Sequence, residues 1–342
     1  MNECSNSRRR PAERIHLRAI VITEHGGPDV LQLKELPDPV PTNGDVLIRV
    51  RAFGINHAET HMRKGEWAEA TPVSGIEAVG TVEHDPSGTV AKGTTVATVM
   101  GGLGRTRNGS YAEYLTAAAP NVAAIETSLS WTDLAAIPES YATAWSTLHG
   151  NLELQPDHTL VVRGATSALG QAAANIAADL GSTVIATTRR EDRAELLRSL
   201  GAAHVVIDDG QIAGAVRELV PAGVDRVLDL VGNSVLRDSL AAVRANGRIC
   251  QAGFLGGLGP VEGFLPFVDM PSGVQFSFFG SFELGTEPFP LSAVPLQRIV
   301  EKVEAGDYQA APSRVFPFEE VAEAHRVMER SEALGKLVVA GA

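Results

Sequence analysis

The chain has 342 residues, 44% of them hydrophobic and 20% charged, with 29 basic against 41 acidic side chains and a formal net charge of −12. That length exceeds one ordinary core and points to two domains, and the acidic balance argues against nucleic acid or an anionic membrane as the main partner. No apolar run reaches the ~18 residues of a transmembrane helix. The basic opening segment "MNECSNSRRRPAERI" lacks the apolar stretch of a signal peptide, so a cytoplasmic location is expected. Cys4 and Cys250 are too few for a disulfide framework or a four-thiolate zinc site.

Residues 1 to about 16 are expected to be a poorly ordered tail. Short strand patterns follow: "LRAIVITEH", "LQLKELPDP", "DVLIRVRAFGIN", "GIEAVGTVEHD", "GTTVATVMGG" and two more in "GSYAEYLTAAAPNVAAI". Their spacing predicts a compact β-rich unit. At "SWTDLAAIPESYATAWSTLHG" the apolar period turns helical, with Ser130 as N-cap and Asp133 at N3. Strand 159–163 then precedes helix 168–180, strand 183–188 helix 191–200, strand 204–207 helix 211–219, and strand 225–230 helix 234–244. Strand 248–252 and the apolar run "VQFSFFGSF" come next, and the C-terminal part reads as one amphipathic helix and a final strand. This alternation predicts an α/β fold with a doubly wound parallel sheet.

Within it, the strand "LVVRG" runs into "ATSALG" and an Ala-rich helix. A pyrophosphate site needs a sharp turn, close backbone approach and a helix packed tightly on the strand. Gly164, Ala165, Ser167 and Ala168 leave room for the approach, Leu169 continues the first turn, and Gly170 permits the packing. Free N–H groups and the helix dipole favour phosphate there. The same small residues also occur in turns that bind nothing, but a strand before and a helix and strand after favour a dinucleotide. NAD-binding versions place an acid about 20 residues on, for the ribose 2′-OH. Here Thr187 and Thr188 occupy that place, followed by Arg189, Arg190 and Arg193. Arginine pairs bidentately with a 2′-phosphate, so NADPH is the expected cofactor; the alternative is a solvated basic face.

Together, "AIVITEHGGPDVLQL", "GDVLIRVRAFGINHAETHMRKG", "PVSGIEAVGTV", "GSYAEYL", the nucleotide turn and "GKLVVA" resemble the medium-chain dehydrogenase/reductase superfamily, and within it the zinc-independent quinone oxidoreductases. The resemblance runs from about Leu17 to the C-terminus. It implies a Rossmann-type nucleotide-binding domain over residues 132–284 and a GroES-like catalytic domain built from residues 17–131 and 285–342. It also implies Asn56 at the nicotinamide, Thr143 as a nicotinamide contact, and Lys336 where the last strand returns toward the cofactor. Gly253 and Phe254 open a glycine-rich apolar loop expected to border cofactor and acceptor, respectively. A homodimer is implied, with "VQFSFFGSF" as the candidate edge strand.

Departures from the family pattern are informative. Zinc-dependent relatives carry Cys in the place of Asn56 and His in the place of Ile76, so no metal is expected. His57, Glu59 and His61 read as a polar strand-to-loop face rather than as ligands. Ser167 replaces the middle glycine of the turn and adds a hydroxyl donor. His61 and Trp67 stand where several quinone reductases carry Tyr, which predicts a different substrate pocket. Without a Lewis acid a simple alcohol is a poor substrate, whereas a quinone or enone needs only hydride and a hydrogen bond to the developing oxyanion. Asn56 is expected to orient nicotinamide or substrate, and His61 or solvent to supply the proton. Glu77 reads as a structural ion-pair partner and Tyr111 as packing with a satisfied hydroxyl. Three readings stay open: NADPH:quinone oxidoreductase, NADPH-dependent enone or enoyl reductase, and a non-catalytic NADPH-binding protein.

Overall fold

The computed structural model describes residues 16–67 and 69–341, so nearly all of the expected N-terminal tail, with Cys4, lies outside the described residues. β1 (His16–Ile22) pairs antiparallel with β2 (Leu31–Pro37). β3 (Asp45–Ile55) runs directly into helix α1 (His57–Lys64), followed by β4 (Glu77–His84), β5 (Thr95–Val99), β6 (Tyr114–Ala118) and β7 (Val122–Ala124). Helices α2 (Trp131–Leu134) and α3 (Pro138–Trp145) come next, the latter running into a π-helical turn over Ser146–Asn151. Ser130 caps α2 by accepting the Asp133 N–H at 3.1 Å, as its sequence predicts.

The chain then alternates: β8 (Thr159–Arg163), α4 (Ala168–Leu180), β9 (Thr183–Thr188), α5 (Ala194–Ser199), β10 (Ala202–Ile207), α6 (Ala213–Leu219), β11 (Val224–Asp229), α7 (Leu236–Ala242), β12 (Val243–Gln251), α8 (Pro266–Asp269) and β13 (Gln275–Phe278). Their strands form one parallel sheet in the order β10-β9-β8-β11-β12-β13. β8 is buried along most of its length, as a strand covered on both faces must be. After α9 (Leu296–Glu304), β14 (Arg314–Phe316), α10 (Val321–Glu329) and β15 (Leu337–Ala340), the chain re-enters a seven-stranded sheet of order β14-β15-β3-β4-β5-β7, with β6 also on β3. This is the Rossmann-type and GroES-like α/β architecture expected. No helix among the described residues is long and apolar enough to cross a membrane.

Several expected boundaries shift for local reasons. Gly201, at φ +99°, ends α5 abruptly, so β10 begins at Ala202 rather than at 204. β12 begins at Val243, five residues early, and its irregular pairing with β11 between Val224 and Arg226 hides that segment's alternation. β14 is a further strand, too short at three residues to show any period. The segment holding His57, Glu59 and His61 is a helix, not a strand-to-loop face. Glu59 reaches back to accept the Asn56 N–H at 2.7 Å, the carboxylate half of a capping box, and Gly65 in the left-handed region stops the helix.

Both sheets drain into one crevice. The strand order reverses between β8 and β11, and ligands of open α/β sheets bind beyond the carboxyl ends of strands at that switch point. Arg163 and Asp229 end those two strands, so Gly164 and Leu230 begin the crevice wall. β3 and α1 close it from the other side.

Candidate active site

A cleft of about 630 Å³ is lined by residues from both sheets. From the parallel sheet come Gly164, Ser167, Ala168, Leu169, Thr188, Arg189, Arg193, Gly253 and Phe254; from the other side come Asn56, His61 and Trp67. The structure therefore brings most of the expected site residues to one wall or the other. Thr143, Gly170, Arg190 and Lys336 do not line it. Thr143 is buried, and its hydroxyl donates to Glu139 Oε1 of its own helix at 3.1 Å. Arg190 folds over Asp192, with Nε 3.0 Å from Oδ1, and its side chain is 62% exposed. Gly170 works from beneath the turn, since a Cβ there would lie 2.6 Å from Ala165 Cα. Lys336 sits under the floor.

The phosphate turn fits a dinucleotide. Gly164 adopts φ +85°, which turns the chain out of β8. Ser167 is the N-cap of α4, but its hydroxyl is not a free donor as expected: it donates to Gly164 O at 2.9 Å and accepts from Gly170 N at 3.1 Å. The N–H groups of Ala168 and Leu169 have no acceptor among the described residues. Two open N–H groups at the start of a 13-residue helix are a phosphate cradle.

At the far end of β9, Arg189 and Arg193 face the same cleft. Asp208 also lines it but is committed to Arg163, which reaches it through Nε and Nη2, both at 2.9 Å. Gly210 N adds a third bond at 2.9 Å. Burial would raise the Asp208 pKa, yet these bonds hold it below the usual carboxylate range. Arg163 itself is fully buried and also donates to Asp238 at 2.8 Å and Ser239 at 2.9 Å.

Beneath the opposite wall lies a cluster the sequence did not reveal. Lys336 Nζ, almost fully buried, is 2.5 Å from Glu77 Oε1 and 4.0 Å from Glu139 Oε2. It donates to Asn56 Oδ1 at 2.6 Å and to Ser140 Oγ at 3.3 Å. Asn56 Nδ2 donates to Glu77 Oε1 at 3.0 Å and Glu59 Oε1 at 3.3 Å. Glu77 is thus the ion-pair partner its sequence suggests, and its Oε2 also accepts the Glu139 N–H at 2.8 Å. Burial pushes the Glu59 pKa up to about 8 and raises that of Glu139. Burial alone would lower Lys336, but Glu77, Glu139 and Glu59 hold its pKa above the ordinary lysine value. Gly54 makes the arrangement possible, because a Cβ there would fall 2.3 Å from Lys336 Cε and 2.4 Å from Glu77 Oε1. Tyr111 is core as expected, its hydroxyl 2.8 Å from His325 Nε2.

His61 stacks on Trp67 with centroids 5.9 Å apart and planes 8° from parallel. Its Nδ1 contacts the Glu66 carboxylate, and its Nε2 has no hydrogen-bond partner among the described residues. Phe254, Phe278, Phe279 and Phe282 supply apolar wall around the same space.

Comparisons with known proteins agree with this architecture. Residues 42–127 match the family described as alcohol dehydrogenase GroES-like domain, and residues 200–339 the one described as zinc-binding dehydrogenase. Human quinone oxidoreductase is 28% identical over 333 residues, spanning 94% of this chain and 97% of its own. A 2-haloacrylate reductase from a Burkholderia species is 28% identical over 342 residues, covering 94% of this chain and 98% of its own. A mycobacterial protein solved with NADPH superposes with a TM-score of 0.84 at 27% identity, covering 95% of this chain and 99% of that one. With a Rossmann-type sheet, a GroES-like sheet and a nucleotide cleft between them, the chain is an oxidoreductase of the medium-chain dehydrogenase/reductase superfamily and belongs to its zinc-independent, quinone oxidoreductase-like family.

Proposed function

We propose that the chain is an NADPH-dependent reductase that passes hydride to a quinone without a metal. The observation that carries this reading is one cleft with Arg189 and Arg193 at one end and His61, Trp67 and Phe254 at the other. Gly164, Ala168 and Leu169 would hold the pyrophosphate and the two arginines the 2′-phosphate. When bound, the reduced nicotinamide supplies the hydride. The chain's own part is to orient, desolvate and protonate. Asn56 has both amide hydrogens engaged by Glu77 and Glu59, so toward the cleft it acts as an acceptor. His61, steered by Glu66, donates a hydrogen bond and then a proton from Nε2 to the acceptor oxygen. The phenylalanines and Trp67 suit a flat, apolar acceptor and keep water from it.

The test titrates NADPH and NADH by quenching of the three Trp residues and then adds 9,10-phenanthrenequinone or an enone while NADPH absorbance is followed. NADPH preference with quinone-dependent oxidation is expected. Oxidation by the enone alone would favour double-bond reduction, the chemistry named for the Burkholderia relative. Tight binding with no oxidation would make this a binding protein. His61→Ala is expected to lower kcat about a hundredfold while leaving NADPH affinity unchanged. Unchanged turnover from about pH 5 to 9 would remove the proton-donor role.

A homodimer is part of this proposal. Among the described residues β13 ends the parallel sheet as an unpaired edge, with Phe276 43% and Phe278 50% exposed. Edges this apolar pair with a partner strand. Sedimentation velocity is expected to give twice the chain mass, and Phe276→Lys to shift it to one. A wild-type monomer at micromolar concentration would refute the pairing.

A further inference from the structure

A second hollow, of about 470 Å³, opens beside the cleft and is lined by Glu66, Trp67, Glu69, Arg105 and Phe282. Trp67 and Phe282 belong to both spaces, so an acceptor seated against them has room to extend outward. Arg105 is fixed there by its own turn. The Gly102 carbonyl accepts the N–H groups of Arg105, Thr106 and Arg107 at 3.0, 2.9 and 3.1 Å. Gly102 itself, at φ +86°, has no room for a Cβ, which would fall 2.3 Å from Thr106 Oγ1. The Gly104 carbonyl accepts the Thr71 N–H at 3.0 Å and ties this turn to the segment after Glu69.

The Arg105 guanidinium lies over the Phe282 ring, with Cζ 4.9 Å from its centroid, and Nη2 donates to Glu69 Oε2 at 3.0 Å. Its Nε is buried and has no hydrogen-bond partner among the described residues. A guanidinium with a desolvated, unused N–H is short of an acceptor atom. Charge decides which kind of atom suits it. Glu66 is engaged by His61 and Glu69 by Arg105, so an anion entering the hollow meets two carboxylates and no spare cation. A neutral oxygen meets only the open N–H. The indole, phenyl and guanidinium faces favour a flat ring to carry that oxygen.

We propose that this hollow is an outer acceptor subsite, in which Arg105 selects acceptors that carry, beyond the reducible ring, a second flat ring bearing a neutral oxygen. The assignment rests on the proposed quinone-reducing reading and extends it to the size and substituent of the acceptor. Arg105 takes no part in hydride or proton transfer.

The test is NADPH oxidation with 1,4-benzoquinone and its 2-phenyl, 2-(4-methoxyphenyl) and 2-(4-carboxyphenyl) derivatives. In the wild type kcat/KM is expected to rise about tenfold from benzoquinone to the phenyl derivative, as the second ring leaves water. The methoxy group is expected to add about fivefold, the weight of one hydrogen bond, and the carboxylate to cost about fivefold. Arg105→Ala is expected to bring the methoxyphenyl-to-phenyl ratio to about one; the ratio cancels any loss common to both acceptors, which a merely structural role would produce. Glu69→Gln removes the competing carboxylate and is expected to raise the carboxyphenyl-to-phenyl ratio about tenfold. A methoxyphenyl-to-phenyl ratio near one in the wild type overturns the assignment, as does a preserved ratio in Arg105→Ala or an unmoved carboxyphenyl ratio in Glu69→Gln. Equal turnover of all four quinones removes the outer subsite alone, whereas reduction of none of them removes the quinone-reducing reading itself.

Discussion

Replacing Arg189 and Arg193 together by alanine is expected to weaken NADPH binding about a hundredfold and to leave NADH within about threefold. Each guanidinium would contribute one charge-assisted interaction with the 2′-phosphate, and nothing else at the end of β9 is placed to replace it. Arg190 is turned onto Asp192 at the surface. Asp208, an acid of the cleft wall just after β10, has its oxygens taken by Arg163, Gly210 N and Thr187 Oγ1. It is not free to accept from a ribose hydroxyl, the contact that favours NADH. Arg190→Ala, by contrast, is expected to change affinity less than threefold, as suits an exposed pair. Titration at two salt concentrations checks the argument, since a diffuse electrostatic field would weaken steeply with salt and act on both cofactors. Equal losses for NADPH and NADH would show that the arginines do not read the 2′-phosphate.

Arg163→Met is expected to destabilise the fold by about 3–5 kcal/mol, read as a large drop in thermal midpoint. The guanidinium is fully buried and ties β8 to Asp208 after β10 and to Asp238 and Ser239 on α7. Removing it leaves two carboxylates without their cation in a region where burial already raises the pKa of Asp229. Arg163→Lys is expected to rescue only part, because an ammonium cannot reproduce the two-pronged bond to Asp208. The sign of the pH effect follows from Asp208. Its folded-state pKa is depressed, so its pairing stabilises above the ordinary carboxylate range and fades as pH falls through the lowered value. In the variant the stranded carboxylates take up protons more readily and relieve their own penalty. The gap between wild type and variant is therefore expected to narrow as pH drops from about 7 toward 4. A gap that widens over that range would show that Arg163 acts by packing rather than by charge.

What could be read from the residues follows how local each signal is. β8, α4 and β9 fall where their sequence places them, because an apolar run, an Ala-rich helix with Ser167 before it and Gly181 after it, and a second apolar run are all short-range patterns. The cleft wall built from that unit was legible for the same reason. Helix α1 was misread since "NHAETH" carries no apolar period, although Asn56 and Glu59 at capping-box spacing were a usable sign. The buried cation was not legible at all. Lys336 and Asn56 lie 280 positions apart, and in sequence the lysine looks like the exposed start of a strand. Glu139 looks like an ordinary acid in a first helical turn, and only packing shows that it is buried beside Lys336. Asp208 ends β10 like many loop acids, and its bond to Arg163 needs the sheet order before it can be seen.

That long link also has a temporal side. β15 hydrogen-bonds to β3, with Leu337 opposite Ile55, and carries Lys336 in just ahead of it. All strands of the parallel sheet lie between residues 159 and 278 and can pair before this last strand leaves the ribosome. The half that would grip the phosphates can thus form first, while the other half waits with Asn56 unlatched and three carboxylates lacking their cation. Only the arrival of the final strand brings Lys336 to Asn56 and Glu77 and completes the pairing of that sheet with β3.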